Sequence, residues 1–243
     1  GGPVVVRQTA QVATPATTAD PIGVVETLSG AVDALRGEAR VTLAQGDPVF
    51  QNDVVETGPG ASVNIVFNDD TNFSVGGEGQ MVLDEFVYDP STAEGQLGVT
   101  MVEGVFRFVS GNIAKFGPDA MAMETPVGTI GVRGTQGVVR VDPNADAAAG
   151  QPPVAIAMLE DPGGGTVGEI TFSNAAGVIT LTGPNQTAFA VDLGLPPTQA
   201  EVLSPGEFGQ LFGADQLSAL FARDGFTIRP SETIQNDIEN SVP

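Results

Sequence analysis

Ser62-Val63-Asn64-Ile65-Val66-Phe67, preceded by Gly58-Pro59-Gly60, is the stretch on which the fold turns. Val63, Ile65 and Phe67 alternate with Ser62, Asn64 and Val66, a one-sided pleat, because successive side chains of a strand face opposite sides. Gly58-Pro59-Gly60 cannot extend that strand, since glycine frees φ and proline removes an N–H donor. The same grammar repeats outward about every 8–12 residues. Upstream it predicts strands at Ile22–Glu26, Ala31–Arg36, Arg40–Leu43 and Val54–Thr57. Downstream come Phe73–Val75, Met81–Tyr88, Leu97–Val102 and Val105–Ser110, punctuated by Gly76-Gly77 and Asp89-Pro90-Ser91. A second series follows at Ala120–Glu124, Val127–Val132, Gly137–Val141, Val154–Leu159, Thr166–Phe172, Val178–Thr182 and Thr187–Val191. Many short strands at even spacing with no helix between them predict an all-β core, a sandwich or irregular β-solenoid rather than a parallel α/β sheet.

Helical spacing enters only after residue 203. Ser204-Pro205-Gly206-Glu207 reads as a capping box, and Phe208, Leu211 and Phe212 follow at i, i+3, i+4 with Gly213 closing the turn. A second short helix is expected from Asp215, with Leu217, Leu220 and Phe221 as its apolar stripe and Gly225 as its end. The two helices are expected to plug an open end of the β-core. The organisation predicted is an extended arm or linker at 1–21, a β domain at 22–203 (divisible into 22–118 and 119–203), a helical cap at 204–225 and a polar tail at 226–243. Within the arm, Val4, Val5 and Val6 form a candidate strand for addition to a neighbour's sheet edge.

Composition removes whole classes of chemistry. The 243 residues include 9 Lys plus Arg against 30 Asp plus Glu, a net charge of −21, with no His, Cys or Trp. Disulfides, thiolate and imidazole metal ligands, cysteine nucleophiles and imidazole-based triads are therefore excluded. So acidic a chain repels nucleic-acid phosphate and anionic lipid; a long β-core with Lys-poor edges and extended termini makes proteins the expected partners and a homo-oligomer the expected assembly. No window reaches the roughly 18 apolar residues of a membrane helix, and no signal peptide is visible. An acidic chain with one lysine, Lys115, and no cysteine fits an exported bacterial protein of the periplasm or cell surface.

Three stretches resemble the FecR-like extracytoplasmic family. Gly30, Gly46-Asp47-Pro48-Val49, and Thr57-Gly58 followed by Phe67-Asn68-Asp69-Asp70-Thr71 resemble its G-x-V, GD-x-V, TG and F-x-DGT elements. Glu124-Thr125-Pro126-Val127-Gly128-Thr129-Ile130-Gly131-Val132-Arg133-Gly134-Thr135, preceded by Gly104-Val105-Phe106-Arg107, is similar to its TP-x-A-x-IGVRGT signature. Asp70 stands where the family turn has glycine, so that turn is expected to adopt another geometry. The resemblance extends over roughly Ile22 to Val191. It implies an all-β, non-enzymatic module that binds a protein or ligand outside the cytoplasm; regulatory members couple an outer-membrane receptor to a sigma factor.

Individual residues sharpen these expectations. Arg133 lies in an apolar, Gly-flanked strand, and a charge buried there needs a carboxylate, for which Asp47 and Glu124 are the candidates. Gly128, Gly131 and Gly134 read as close-packing positions rather than a phosphate cradle, since no helix N-terminus follows. Asp142, Asn144 and Asp146 have a D-x-N-x-D spacing that could offer oxygens to calcium, although Ala147 and Pro153 replace the Gly and Glu of an EF-hand loop. No other cofactor is expected. The leading functional expectation is a protein-contact module, self-assembling or accessory to a surface or periplasmic structure. The alternatives are a periplasmic sensor domain and a carboxylate-based glycosidase.

Overall fold

The computed structural model describes residues 19–117, 119–160, 168–200 and 202–222. Val4, Val5, Val6, Gly225 and the 226–243 tail lie outside the described residues. In chain order the strands are β1 (Gly23–Ser29), β2 (Val32–Arg36), β3 (Ala39–Thr42), β4 (Pro48–Val49), β5 (Val54–Thr57), β6 (Ser62–Phe67), β7 (Asn72–Val75), β8 (Gln80–Asp89) and β9 (Glu94–Val109). They continue as β10 (Met121–Thr125), β11 (Gly128–Arg133), β12 (Gln136–Val141), β13 (Val154–Met158), β14 (Glu169–Asn174), β15 (Gly177–Leu181), β16 (Thr187–Ala190) and β17 (Thr198–Ala200). Helices α1 (Pro205–Phe212) and α2 (Ala214–Phe221) follow. The chain is mostly β, as its turn punctuation predicts.

The strands form one hydrogen-bonded system folded into two layers. The first layer runs β4-β1-β6-β7-β9-β12-β13-β16-β17. The second runs β3-β2-β5-β8-β9-β10-β11-β14-β15. Among the described residues only β9 belongs to both, with eight strands before it in sequence and eight after. Its 16 residues would span roughly 50 Å at about 3.3 Å per residue, about three times an ordinary strand. The sequence reading splits it in two at Gly104; the chain instead stays extended and changes layer there. Leu97–Thr100 pair parallel to β10 in the second layer, while Phe106–Val109 pair with β7 and β12 in the first. Gly104 has φ +117°, and a Cβ on it would stand 2.7 Å from the Gly79 Cα, so the crossing needs a residue without a side chain.

Alternation sets the core between the layers. Val25, Ile65, Phe73, Phe106 and Phe108 from the first layer and Val55, Met81, Leu83, Val99, Ile130 and Phe172 from the second are all at most 1% exposed. They belong to one continuous cluster that spans both halves of the chain. Each such side chain contributes about 1.5–3 kcal/mol on burial. Phenylalanines also bridge the layers: Phe67 of β6 stacks on Phe86 of β8 at 5.8 Å and meets Phe73 edge-on at 6.0 Å.

The two helices occupy the predicted residues but not the predicted place. Phe212, Leu217, Leu220 and Phe221 pack on Val105, Val138, Ala155, Ala157 and Leu159, the outward face of the first layer. This third layer is why β12 and β13 are buried on both sides. The helices therefore cover a sheet face rather than plug an end, because those strands carry apolar residues at consecutive positions. The capping box of α1 is present, with the Glu207 carboxylate accepting from the Ser204 N–H at 2.8 Å. Helix α2 starts two residues earlier than an Asp215 cap would place it: its N-cap is Gly213, and Asp215 lies inside the first turn. Gln216 fixes α2 to the β7–β8 turn, its Oε1 accepting from the Gly77 N–H at 2.8 Å.

Gly104→Ala should lower stability by about 3 kcal/mol, combining backbone strain with overpacking. Gly37→Ala, at φ +61° with open space around it, should cost about 1 kcal/mol. Urea unfolding of both variants checks the account; equal losses would contradict a special role for the crossing.

Candidate functional site

The β10–β11 hairpin is built by its own residues. Thr125 pairs with Gly128 across a two-residue Pro126-Val127 loop, and the Thr125 hydroxyl donates to the Gly128 carbonyl at 2.6 Å. A Cβ on Gly128 would lie 2.5 Å from the Ser173 carbonyl oxygen, so Gly128 is a close approach to β14, as the packing reading expects. Gly134, at φ +60° with nothing near it, serves the turn conformation instead. Beyond it the Thr135 N–H donates to the Ser110 hydroxyl at 2.8 Å as the chain passes to the first layer.

Period two then divides the signature between two environments. Gly128, Ile130 and Val132 face the core, whereas Thr129, Gly131 and Arg133 face outward. Cross-strand register extends that outward set into rows: Glu124, Thr129, Ser173 and Val178 in one, Ala122, Gly131, Thr171 and Thr180 in the next. The outer face of β10, β11, β14 and β15 is thus a surface of small and hydroxyl side chains. Its ionic groups have partners on the same face. Glu124 accepts from the Thr129 hydroxyl at 2.8 Å, and Arg133 lies 3.6 Å from Glu169. Such a face has little side-chain entropy to lose on contact.

Arg133 is therefore not the buried clamp expected from its apolar neighbours. Its side chain is 56% exposed and its carboxylate is Glu169, directly opposite on β14, rather than Asp47 or Glu124. Period two points residue 133 away from the core although both neighbours are apolar or glycine. Asp47 instead closes its own turn, accepting from the Ala44 N–H at 2.7 Å, with Gly46 beside it at φ +88°.

An internal clamp exists on residues the sequence reading passed over. Asp53, 1% exposed, accepts from Arg36 Nε at 2.9 Å and from the Phe50 N–H at 3.0 Å. The Arg36 guanidinium stacks 4.5 Å from the Phe50 ring centroid and donates to the Pro48 carbonyl at 2.7 Å. Asp69, wholly buried, accepts from the Thr71 N–H and hydroxyl and from the Ile113 N–H at 2.7–3.1 Å. Asp70 keeps the left-handed turn that glycine would take, at φ 68°, and its carboxylate accepts from Asn112 at 3.0 Å. The expected change of turn geometry does not occur: aspartate, one of the few residues that enter this region, is held there by a donor 42 positions away in sequence.

Both carboxylates of the D-x-N-x-D loop accept hydrogen bonds from the protein. Asp142 accepts from Arg140 at 2.6 Å and from the Asn144 N–H at 3.0 Å; Asp146 caps a 3-10 turn, accepting from the Ala148 and Ala149 N–H groups. Among the described residues no group of three or more Asp or Glu is placed to hold a metal ion. An open cleft of about 370 Å³ lies at the strand crossing, lined by Glu78, Glu103, Gly104, Arg140, Asp142 and Gln216. A second, of about 200 Å³, lies between β6 and the end of α2. Neither borders Arg133.

The described residues and the sequence signature now meet in one segment. Residues 53–150 match the FecR protein family. The FecR segment starts at the buried Asp53, includes Asp69, the crossing strand β9 and the whole β10–β11 hairpin, and leaves Gly46 and Asp47 outside. No curated protein matches the chain. Two crystal structures of a candidate anti-sigma factor from Parabacteroides distasonis ATCC 8503 are similar in part. One, at 13% identity and a TM-score of 0.45, and the other, at 14% and 0.46, each cover 78% of this chain and 91% of theirs. No helix among the described residues is long and apolar enough to cross a membrane.

Arg133→Met should change stability by no more than about 0.5 kcal/mol, whereas Asp53→Ala should cost about 3–5 kcal/mol by stranding Arg36. Denaturant unfolding separates the two, and the reverse order would overturn the assignment of the clamp. A further outcome concerns acid. The Thr42 hydroxyl, and then Arg40, hold the Asp33 carboxyl below its ordinary value. A carboxyl lowered on folding adds stability above its unfolded pKa, near 3.9, and that stability is lost as pH falls through the folded pKa. The melting temperature of Asp33→Asn should therefore fall less than that of the parent on acidification below about pH 4; parallel curves would contradict the coupling.

Proposed function

We propose that the chain is a non-enzymatic FecR-like recognition module of extracytoplasmic signalling, which meets a protein partner through the outer face of β10, β11 and β14. The observation that carries this reading is the position of the signature. Within the matched segment, Thr129, Gly131 and Arg133 project outward from a hairpin held by Thr125, Gly128 and Ile130. Residues spent on the core alone would not need a hydroxyl and a guanidinium on the solvent side. A rigid sheet with small side chains suits docking of a folded surface, where shape fit and few immobilised rotamers set affinity. The absence of His and Cys from the whole sequence leaves carboxylates as the acid–base groups at hand, and those of Asp53 and Asp69 are occupied by internal donors. Sensing therefore fits this chain better than the assembly role that composition first suggests, and better than glycoside hydrolysis.

The test is made in the source bacterium. A Thr129→Arg, Thr171→Arg double variant should fold with an unchanged melting temperature and reproduce the transcript changes caused by deleting the gene. If deletion leaves the transcriptome unaltered, the signalling role is wrong; if the double variant behaves as the parent, the face is wrong.

A further inference from the structure

Charge is distributed unevenly along the chain. The 31 residues from Ile170 to Ala200, which contain most of β14 and all of β15–β17, hold one charged side chain, Asp192, whereas the whole sequence has 39. Exposed apolar side chains gather in the same span. Of the seven large ones exposed among the described residues, Val178, Val191, Leu193 and Leu195 are four. The turn that bears Leu193 and Leu195 lies against the β14–β15 hairpin: Asn174 Nδ2 donates to the carbonyls of Asp192 at 3.1 Å and Leu195 at 2.7 Å. A Cβ on Gly177 would stand 3.0 Å from the Pro196 Cβ.

This patch sits at a sheet edge. β15 is the last strand of the second layer and, among the described residues, pairs only with β14. Its sequence, Gly177-Val178-Ile179-Thr180-Leu181, has no charge and no proline, the usual guards against edge pairing. Val178, 65% exposed, points away from the core beside that open edge. Charge-depleted, apolar surface is the composition of an interface centre.

We infer that this edge joins two copies of the chain, β15 of one pairing antiparallel with β15 of the other across a twofold axis. Antiparallel pairing of identical strands is self-complementary, so a single edge suffices for a closed dimer. The occupant follows from charge. Two bodies of −21 each repel one another over most of their surfaces, and only a charge-poor patch lets them meet without opposing carboxylates. A basic partner would gain by docking on the acidic surface elsewhere. Val178, Leu193 and Leu195 from both copies then leave water together.

Sedimentation equilibrium of the full chain across the micromolar range tests the inference, with and without added salt. The expected result is a reversible dimer that tightens as salt screens the repulsion. Val178→Lys and, separately, Leu195→Glu should weaken it by roughly tenfold or more, while Val87→Lys, an exposed valine on β8, leaves it intact. Unchanged melting temperatures establish that the variants are folded. A monomer under every condition overturns the inference, and so does a dimer indifferent to both patch variants. A dimer abolished by removing residues 1–18 but not by Val178→Lys also overturns it, and would place the contact on Val4, Val5 and Val6.

Discussion

A strand that serves two sheets cannot present an ordinary side chain where it changes layer. In β9 that point is Gly104, whose backbone passes within contact distance of Gly79 on the β7–β8 turn. Among the described residues, the strands before β9 in sequence pair to one side of it and those after pair to the other. The crossing also sets the sign of every later side chain. Val105 and Arg107 face the helices, while Phe106 and Phe108 face the core. One residue of slip would exchange those sets. The close approach at Gly104 thus fixes register for both halves at once.

Given that register, burial and exposure follow with little freedom. Polar groups enter the interior at a few points where they are fully engaged: Asp53 with Arg36 and the Phe50 N–H, and Asp69 with Thr71 and the Ile113 N–H. Each joins segments distant in sequence, and each is expensive to disturb because its partners, the half-buried Arg36 and the buried Thr71 among them, would lose their bonds. The outward face of the hairpin carries no such burden. Its ion pair is solvated, so its residues are free to be chosen for what they touch rather than for what they hold together.

Strand boundaries and the residues that form the helices illustrate what was legible in the sequence. The pleat of Ser62–Phe67 and the strand Val54–Thr57 appear with the boundaries read from alternation; α1 matches its capping box and α2 its apolar stripe, although Asp215 does not cap α2. Local periodicity and turn chemistry act over a few residues, so they survive folding unchanged. Alternation alone leaves a gap between Val102 and Val105; only the neighbouring Gly79 reveals Gly104 as a crossing. Arg133 was misassigned because apolar neighbours suggested burial, although the period of two already pointed it outward. The Arg36–Asp53 clamp left a faint signal, a lone aspartate at the entry of an apolar strand, but its partner lies 17 positions away and only the fold brings them together. Strands β4 and β17, two and three residues long, are too short for alternation to register.

The functional reading rests on the FecR segment being part of one continuous β-structure, not a separable half. Native-state hydrogen exchange across β9 measures this most directly. The account predicts that the amides of Val99 and Met101, in the second layer, and of Phe106 and Phe108, in the first, exchange with one common opening free energy equal to that of global unfolding. Two distinct free energies, one for each side of Gly104, would contradict it.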